Sequence, residues 1–139
     1  MSGTIIPILS KQRFEYSFLG TTASQIVTLQ PAIEAISYDR VTLLIRVHRI
    51  SITSGQSFLF ALRSTLPSEE DPQEFTDTTA GGDIAPVTIS STATAPSLQS
   101  ATATAIPPFL KFILTVSQGT TSGATLYGEF SAALLMREQ

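Results

Sequence analysis

The chain offers one imidazole for acid–base work, that of His48. A catalytic base needs a nucleophile to deprotonate and an acid to orient it. Candidates such as Ser51 and Asp39 exist, but no nucleophile elbow or other spaced motif accompanies them. The plainer reading puts His48 on the outer face of a strand beside Arg46, and no catalytic residue is expected. There is no Cys, which removes thiol nucleophiles, disulfides, zinc knuckles and iron–sulfur clusters. A site needing two imidazoles is excluded within one chain, and no cofactor is expected.

Residues 68–77 hold five of the eleven acids: Glu69, Glu70, Asp71, Glu74 and Asp77. Asp83 follows soon after. Clustered carboxylates suit a hard cation such as calcium, but the spacing lacks the alternate acids, central Gly and final bidentate Glu of an EF-hand loop. A solvated loop turning at Asp71-Pro72 is expected, with docking onto a basic patch of a partner as another use. Arg46 and His48 share one strand face, with Arg63 expected on the neighbouring strand. Glu129 offers these cations a cross-strand or intersubunit ion pair. Gly81-Gly82 and the Gly119…Gly123 pair make no phosphate cradle, because no Lys-Ser/Thr follows them. With no Trp, a sugar platform would rest on Tyr38 or Tyr127.

Charge is scarce. Asp, Glu, Lys and Arg make 14% of the chain, against about 25% in an average domain. The net charge of −3 and the lack of a Lys/Arg cluster argue against nucleic acid, where phosphate neutralisation supplies most of the affinity. No apolar run approaches the ~18 residues of a membrane span. The N-terminus has no basic stretch, and its apolar piece is too short for a signal sequence, so synthesis in the cytoplasm without Sec export is expected.

The elements that must position these residues are strands. Val41, Leu43, Ile45 and Val47 alternate with Thr42, Leu44, Arg46 and His48, a period of two. Phe58, Phe60 and Leu62 alternate with Leu59, Ala61 and Arg63 beyond a turn at Ser54-Gly55, which reads as a β-hairpin through residues 53–56. Leu110, Phe112, Leu114 and Val116 form a second such run. Leu126, Gly128, Phe130, Ala132, Leu134 and Met136 form a third, and these two read as another hairpin. Residues 132–138 are assigned to that strand over a short terminal helix. Weaker strands are expected at 4–9, 13–19, 24–29 and 84–90. Residues 31–36 read as one helical turn or an extended crossover, 67–82 as an irregular loop, and 101–105 as an edge strand or linker.

About eight strands with turn signals between them predict an all-β fold, an antiparallel β-sandwich of jelly-roll-like form. A single domain is expected over 13–139. Residues 1–12 read either as its first strand or as an extended arm that adds to a neighbour's sheet, anchored by Ile5, Ile6, Ile8 and Leu9. The strands carry little charge on either face, which predicts outer faces covered by further copies of the chain.

The absence of Cys, the Thr/Ser/Ala-rich strands, the paired turns and the closing strand 123–138 resemble small virion proteins of tailed phages. The resemblance is especially to head decoration (cement) proteins and related tail components. Residues 66–72, Leu-Pro-Ser-Glu-Glu-Asp-Pro, resemble the acidic loop of short proteins in prophage-like gene blocks. This resemblance implies a non-enzymatic subunit of the virion that forms trimers or dimers and binds the major capsid protein. The alternative is a lectin-like module that binds a glycan through the acidic loop and Tyr38 or Tyr127. The expected interaction residues are Ile5, Ile6, Ile8, Leu9, Arg46, His48, Arg63 and Glu129.

Overall fold

The computed structural model describes residues 3–17, 24–67, 75–77, 82–104, 106–119 and 125–138. They form nine strands and no helix: β1 (Gly3–Tyr16), β2 (Ser24–Glu34), β3 (Arg40–Ser51), β4 (Ser57–Pro67), β5 (Phe75–Asp77), β6 (Ile84–Ser90), β7 (Ser97–Thr104), β8 (Phe109–Ser117) and β9 (Leu126–Arg137). Sheet A has the order β1-β9-β3-β7. Sheet B has the order β2-β8-β4, with β6 and the short β5 sharing the far edge of β4. All pairings are antiparallel.

With β5 set aside as an insertion, successive strands alternate between the two sheets except at β4–β6. That interleaving is the double Greek key of a jelly roll. The expected all-β antiparallel sandwich is therefore the fold.

The period-two pattern sets which side of each strand is buried. Val41, Leu43, Ile45 and Val47 are fully buried, as are Phe58, Phe60, Leu62, Leu110, Phe112, Leu114, Val116, Leu126, Phe130, Leu134 and Met136. These inner faces meet across the sandwich in one core. Its centre is aromatic. Phe130 lies 4.9 Å from Phe60, 5.2 Å from Phe58 and 6.2 Å from Phe14, centroid to centroid. Phe60 stacks on Phe112 at 5.9 Å.

Both expected hairpins are corrected. The four strands exist, but β3 pairs with β9 and β7 rather than with β4. Likewise β8 pairs with β2 and β4 rather than with β9. Residues 53–56 and the turn after β8 are arches that carry the chain from one sheet to the other. The physical reason is that alternation specifies which face of a strand is buried, not which strand lies beside it. Two consecutive strands with apolar inner faces can bury them against each other across a core as well as side by side.

Other assignments resolve at the edges. The segments 4–9 and 13–16 merge into β1, bent by register shifts between Pro7 and Gln12, while residues 18 and 19 of the expected strand lie outside the described residues. Residues 3–12 thus pair with β9 of the same chain. Residues 31–34 continue β2 rather than making a helical turn, 132–137 are strand, and 97–104 make the edge strand β7. Within the loop assigned to 67–82, Phe75–Asp77 forms β5. Residues 68–74 and 78–81 lie outside the described residues.

Proline placement follows the sheet edges. Pro7, Pro31 and Pro86 fall in β1, β2 and β6, and Pro96 directly precedes β7. The inner strands β3, β8 and β9 contain none, and β4 has one only at its last residue. A proline cannot donate to a ladder, so it is tolerated at edges and blunts them against further strand addition.

Candidate interaction surface

The outward side chains of the two sheets differ. On sheet B, Ala61 and Ile113 point away from the core yet are fully buried. The centre of that face is covered. On sheet A the outward positions form cross-strand rows that stay open. Ile5, Leu135 and Thr42 make one row, Pro7, Ala133 and Leu44 the next, and Ser131, Arg46 and Leu98 a third. Ile5 is 65% exposed and Leu98 58% exposed, at opposite edges of the face. Between them lies an open depression of about 330 Å³, bordered by Pro7, Leu9, Leu44, Arg46, Leu98 and Ala133.

Cations ring this apolar stripe. Lys11, Arg13, Arg40, Arg46, Arg49 and Arg137 all sit on the strands of sheet A and are exposed. Lys11 bonds Glu129 at 3.2 Å and Arg13 bonds Glu15 at 3.0 Å. Arg13 also lies over the Tyr127 ring at 4.7 Å. Among the described residues, Arg40, Arg46, Arg49 and Arg137 form no salt bridge. Arg40 and Arg137 even face each other across β3 and β9. Such a like-charged pair is unfavourable in an isolated sheet. In the Lys11–Glu129 pair the lysine is exposed while the glutamate side chain is only 18% exposed, so Glu129→Gln should lower stability by about 1 kcal/mol in chemical denaturation.

Of the expected interaction residues, Ile5, Arg46, His48 and Glu129 lie on this face, and Leu9 borders the depression while also packing against the core. Ile8 is buried in the core and Ile6 packs against it, so neither is available as an exposed anchor. Arg63 is on sheet B, the opposite layer from Arg46, and bonds Asp83 at 3.0 Å. The expected Arg–Glu129 pair is instead Lys11–Glu129. Sequence reading missed Leu98, Leu135 and Ala133, because only the register aligns them with Leu44.

His48 sits at a register shift in β3, and its Nε2 lies 2.9 Å from Ser131 Oγ. A serine–imidazole contact is the start of a nucleophile–base pair. Asp39 precedes the other end of β3, nine residues away and so roughly 30 Å off along a strand rising ~3.3 Å per residue. No carboxylate is bonded to His48 among the described residues. Ser131 lies in β9, which is paired on both sides, so its backbone N–H groups are committed to ladders rather than aimed at an oxyanion.

Tyr38 donates to Thr4 Oγ1 at 3.2 Å, and the Tyr127 ring carries Arg13, so neither presents a bare platform of the lectin type. Among the described residues no group of three or more His, Cys, Asp or Glu could hold a metal. The calcium question at 68–83 falls largely outside the described residues. Among the described residues no helix is long and apolar enough to cross a membrane.

No protein-family model matches the chain, and no curated protein sequence matches it. Solved structures do. The VP2 protein of an infectious bursal disease virus subviral particle superposes with TM-score 0.56 at 15% identity, covering 97% of this chain and 32% of that one. A point mutant of VP2, in particles derived from the same virus, gives TM-score 0.53 at 11% identity, covering 97% and 31%. A low-affinity xylan-binding module from Roseburia intestinalis gives TM-score 0.43 at 10% identity, covering 100% and 97%. This chain thus spans about a third of the VP2 chain. What it shares with VP2 is the fold, a β-sandwich like that of a viral capsid protein.

Proposed function

We propose that this chain is a non-enzymatic structural subunit that self-associates and docks onto a larger protein lattice. A virion shell decorated from outside is the setting its composition and fold suit best. The observation that carries this reading is the outer face of sheet A, where Ile5, Leu44, Leu98, Ala133 and Leu135 form an open apolar stripe. Surface apolar residues that line up in this way mark an interaction site more often than chance exposure does. On sheet B, Ile26 is exposed on the edge strand β2 while Ala61 and Ile113 at the centre are buried, so among the described residues the exposed apolar side chains line up across several strands on sheet A. The capsid-like fold supports the same reading. The chain would be made in the host cytoplasm and carried in the virion, with the major capsid protein as its partner.

Sedimentation velocity tests it. The native chain should run heavier than its 14.8 kDa monomer mass, or co-sediment with capsid shells. Ile5→Ser/Leu98→Ser should weaken that association on the order of 100-fold, since burying each aliphatic side chain is worth about 1.5–3 kcal/mol. Both side chains are exposed in the isolated fold, so the thermal midpoint should hold. A native monomer that ignores shells would sink the reading. A glycan that binds this face, with the Ile5/Leu98 variant deaf to it, would favour a ligand-binding module instead.

A further inference from the structure

The assembly reading leaves open what lies on sheet A, and the charge distribution answers it. The face and its margin carry six cations, with Glu15, Glu129, Asp39 and Glu138 as their only carboxylates. The remainder of the chain holds two cations, Arg63 and Lys111, and seven carboxylates. A chain of net charge −3 is therefore split into a net positive face and a strongly acidic remainder. We infer that the occupant of the sheet A face is the acidic stretch 68–77 of a second copy of this chain. This inference rests on the assembly reading and specifies its contact.

Three observations lead there. First, an isologous contact of sheet A with itself would oppose Arg40, Arg46, Arg49 and Arg137 to their own copies, with no salt bridge to neutralise them. Like charges facing each other across an interface oppose association. Second, residues 68–77 carry five carboxylates and no cation, so they supply what the face lacks. Third, the stretch is attached on the wrong side to serve its own face. Pro67 and Phe75 are paired as register partners of β4 and β5 in sheet B. A connection of seven residues between paired ends extends about 12 Å at most, at ~3.3–3.6 Å per residue out and back. The outer face of sheet A lies beyond the whole core, a sheet spacing of about 10 Å plus the side chains on top.

Two copies can exchange this contact reciprocally about a two-fold axis, or pass it on head to tail into a ring or a filament.

The experiment uses two charge-reversed variants of the full chain, Arg46→Glu/Arg49→Glu on the face and Glu69→Lys/Glu70→Lys/Glu74→Lys in the stretch. Circular dichroism and thermal midpoints confirm that each folds. Each variant alone should associate at least ~10-fold more weakly than the native chain in sedimentation at low salt. An equimolar mixture should recover association, because it contains one native face and one native stretch. If the stretch variant associates like the native chain while the face variant does not, the face is used but this occupant is wrong. If the native chain associates but neither charge variant nor Ile5→Ser/Leu98→Ser alters it, association runs through another surface and this inference falls while self-association stands. A native chain that stays monomeric at every salt concentration also overturns the inference.

Discussion

Phe130→Ala should cost the fold about 3–5 kcal/mol, enough to leave it marginal or unfolded. The size of the loss follows from position. Phe130 is fully buried on β9, a central strand of sheet A, and its ring meets Phe14 of β1 and Phe58 and Phe60 of β4. It therefore joins an edge strand of its own sheet to the centre of the other. Two of those contacts, with Phe58 and Phe60, are edge-to-face at 66° and 71°. Such pairs add about 0.5–1.5 kcal/mol beyond the area they bury. The hole cannot collapse easily, because Phe58 and Phe60 beside it are held on β4, which is paired on both sides. Guanidinium denaturation should show a lower midpoint at unchanged slope. Phe130→Leu, which keeps most of the volume, should lose no more than about 1.5 kcal/mol. A loss under 1 kcal/mol for the Ala variant would mean that the aromatic cluster does not organise the core.

Gly119→Ala should be the second large effect, about 2–5 kcal/mol. Gly119 has φ +64°, a left-handed conformation that a side chain makes costly by about 1–2 kcal/mol. More important is what surrounds it. A Cβ there would run into the backbone carbonyl of Gly55, in the arch between β3 and β4. The two arches thus touch glycine to glycine, at the end of the sandwich where Gln56 and Gln118 are buried. Backbone cannot swing aside as a side chain can, so overpacking adds about 1–3 kcal/mol. Gly82 is the control. It has φ +55° but nothing within 4 Å of its Cβ position, so Gly82→Ala should show the backbone cost alone. Equal losses at the two glycines would show that the arches do not press on each other.

The contact between Gly55 and Gly119 illustrates what was legible. Ser54-Gly55 and Gln118-Gly119 were readable as turns, since glycine supplies left-handed backbone at no steric cost. That the two turns meet was not readable, because it depends on both being arches at the same end of the sandwich. The hairpins inferred from the same residues failed for that reason. His48 shows the converse. Its outward position followed from the parity of Val47, but its partner Ser131 is 83 residues away. Only the β3–β9 register brings them together.

The open face was half legible. Sparse charge on both sides of the strands implied covered outer faces, yet the two sheets diverge, with Ala61 and Ile113 buried on one and Ile5 and Leu98 exposed on the other. Composition averages over the chain and cannot assign a residue to a layer. Arg46 and Arg63 read as neighbours in sequence terms, and they lie on opposite layers.

The sequence by itself determined the class of the fold and the inner face of nearly every long strand. Burial of apolar side chains at every second position is a local property, written in the order of the residues. It also placed the prolines at what became edges, and it concentrated acid in one stretch. The tertiary structure decided which strands are neighbours, and therefore which outward residues form a surface. Pairing is set by how the whole set of inner faces fits into one core, a collective outcome that no single segment encodes. Ile5, Leu44, Leu98 and Leu135 became one stripe only when β1, β9, β3 and β7 were laid side by side.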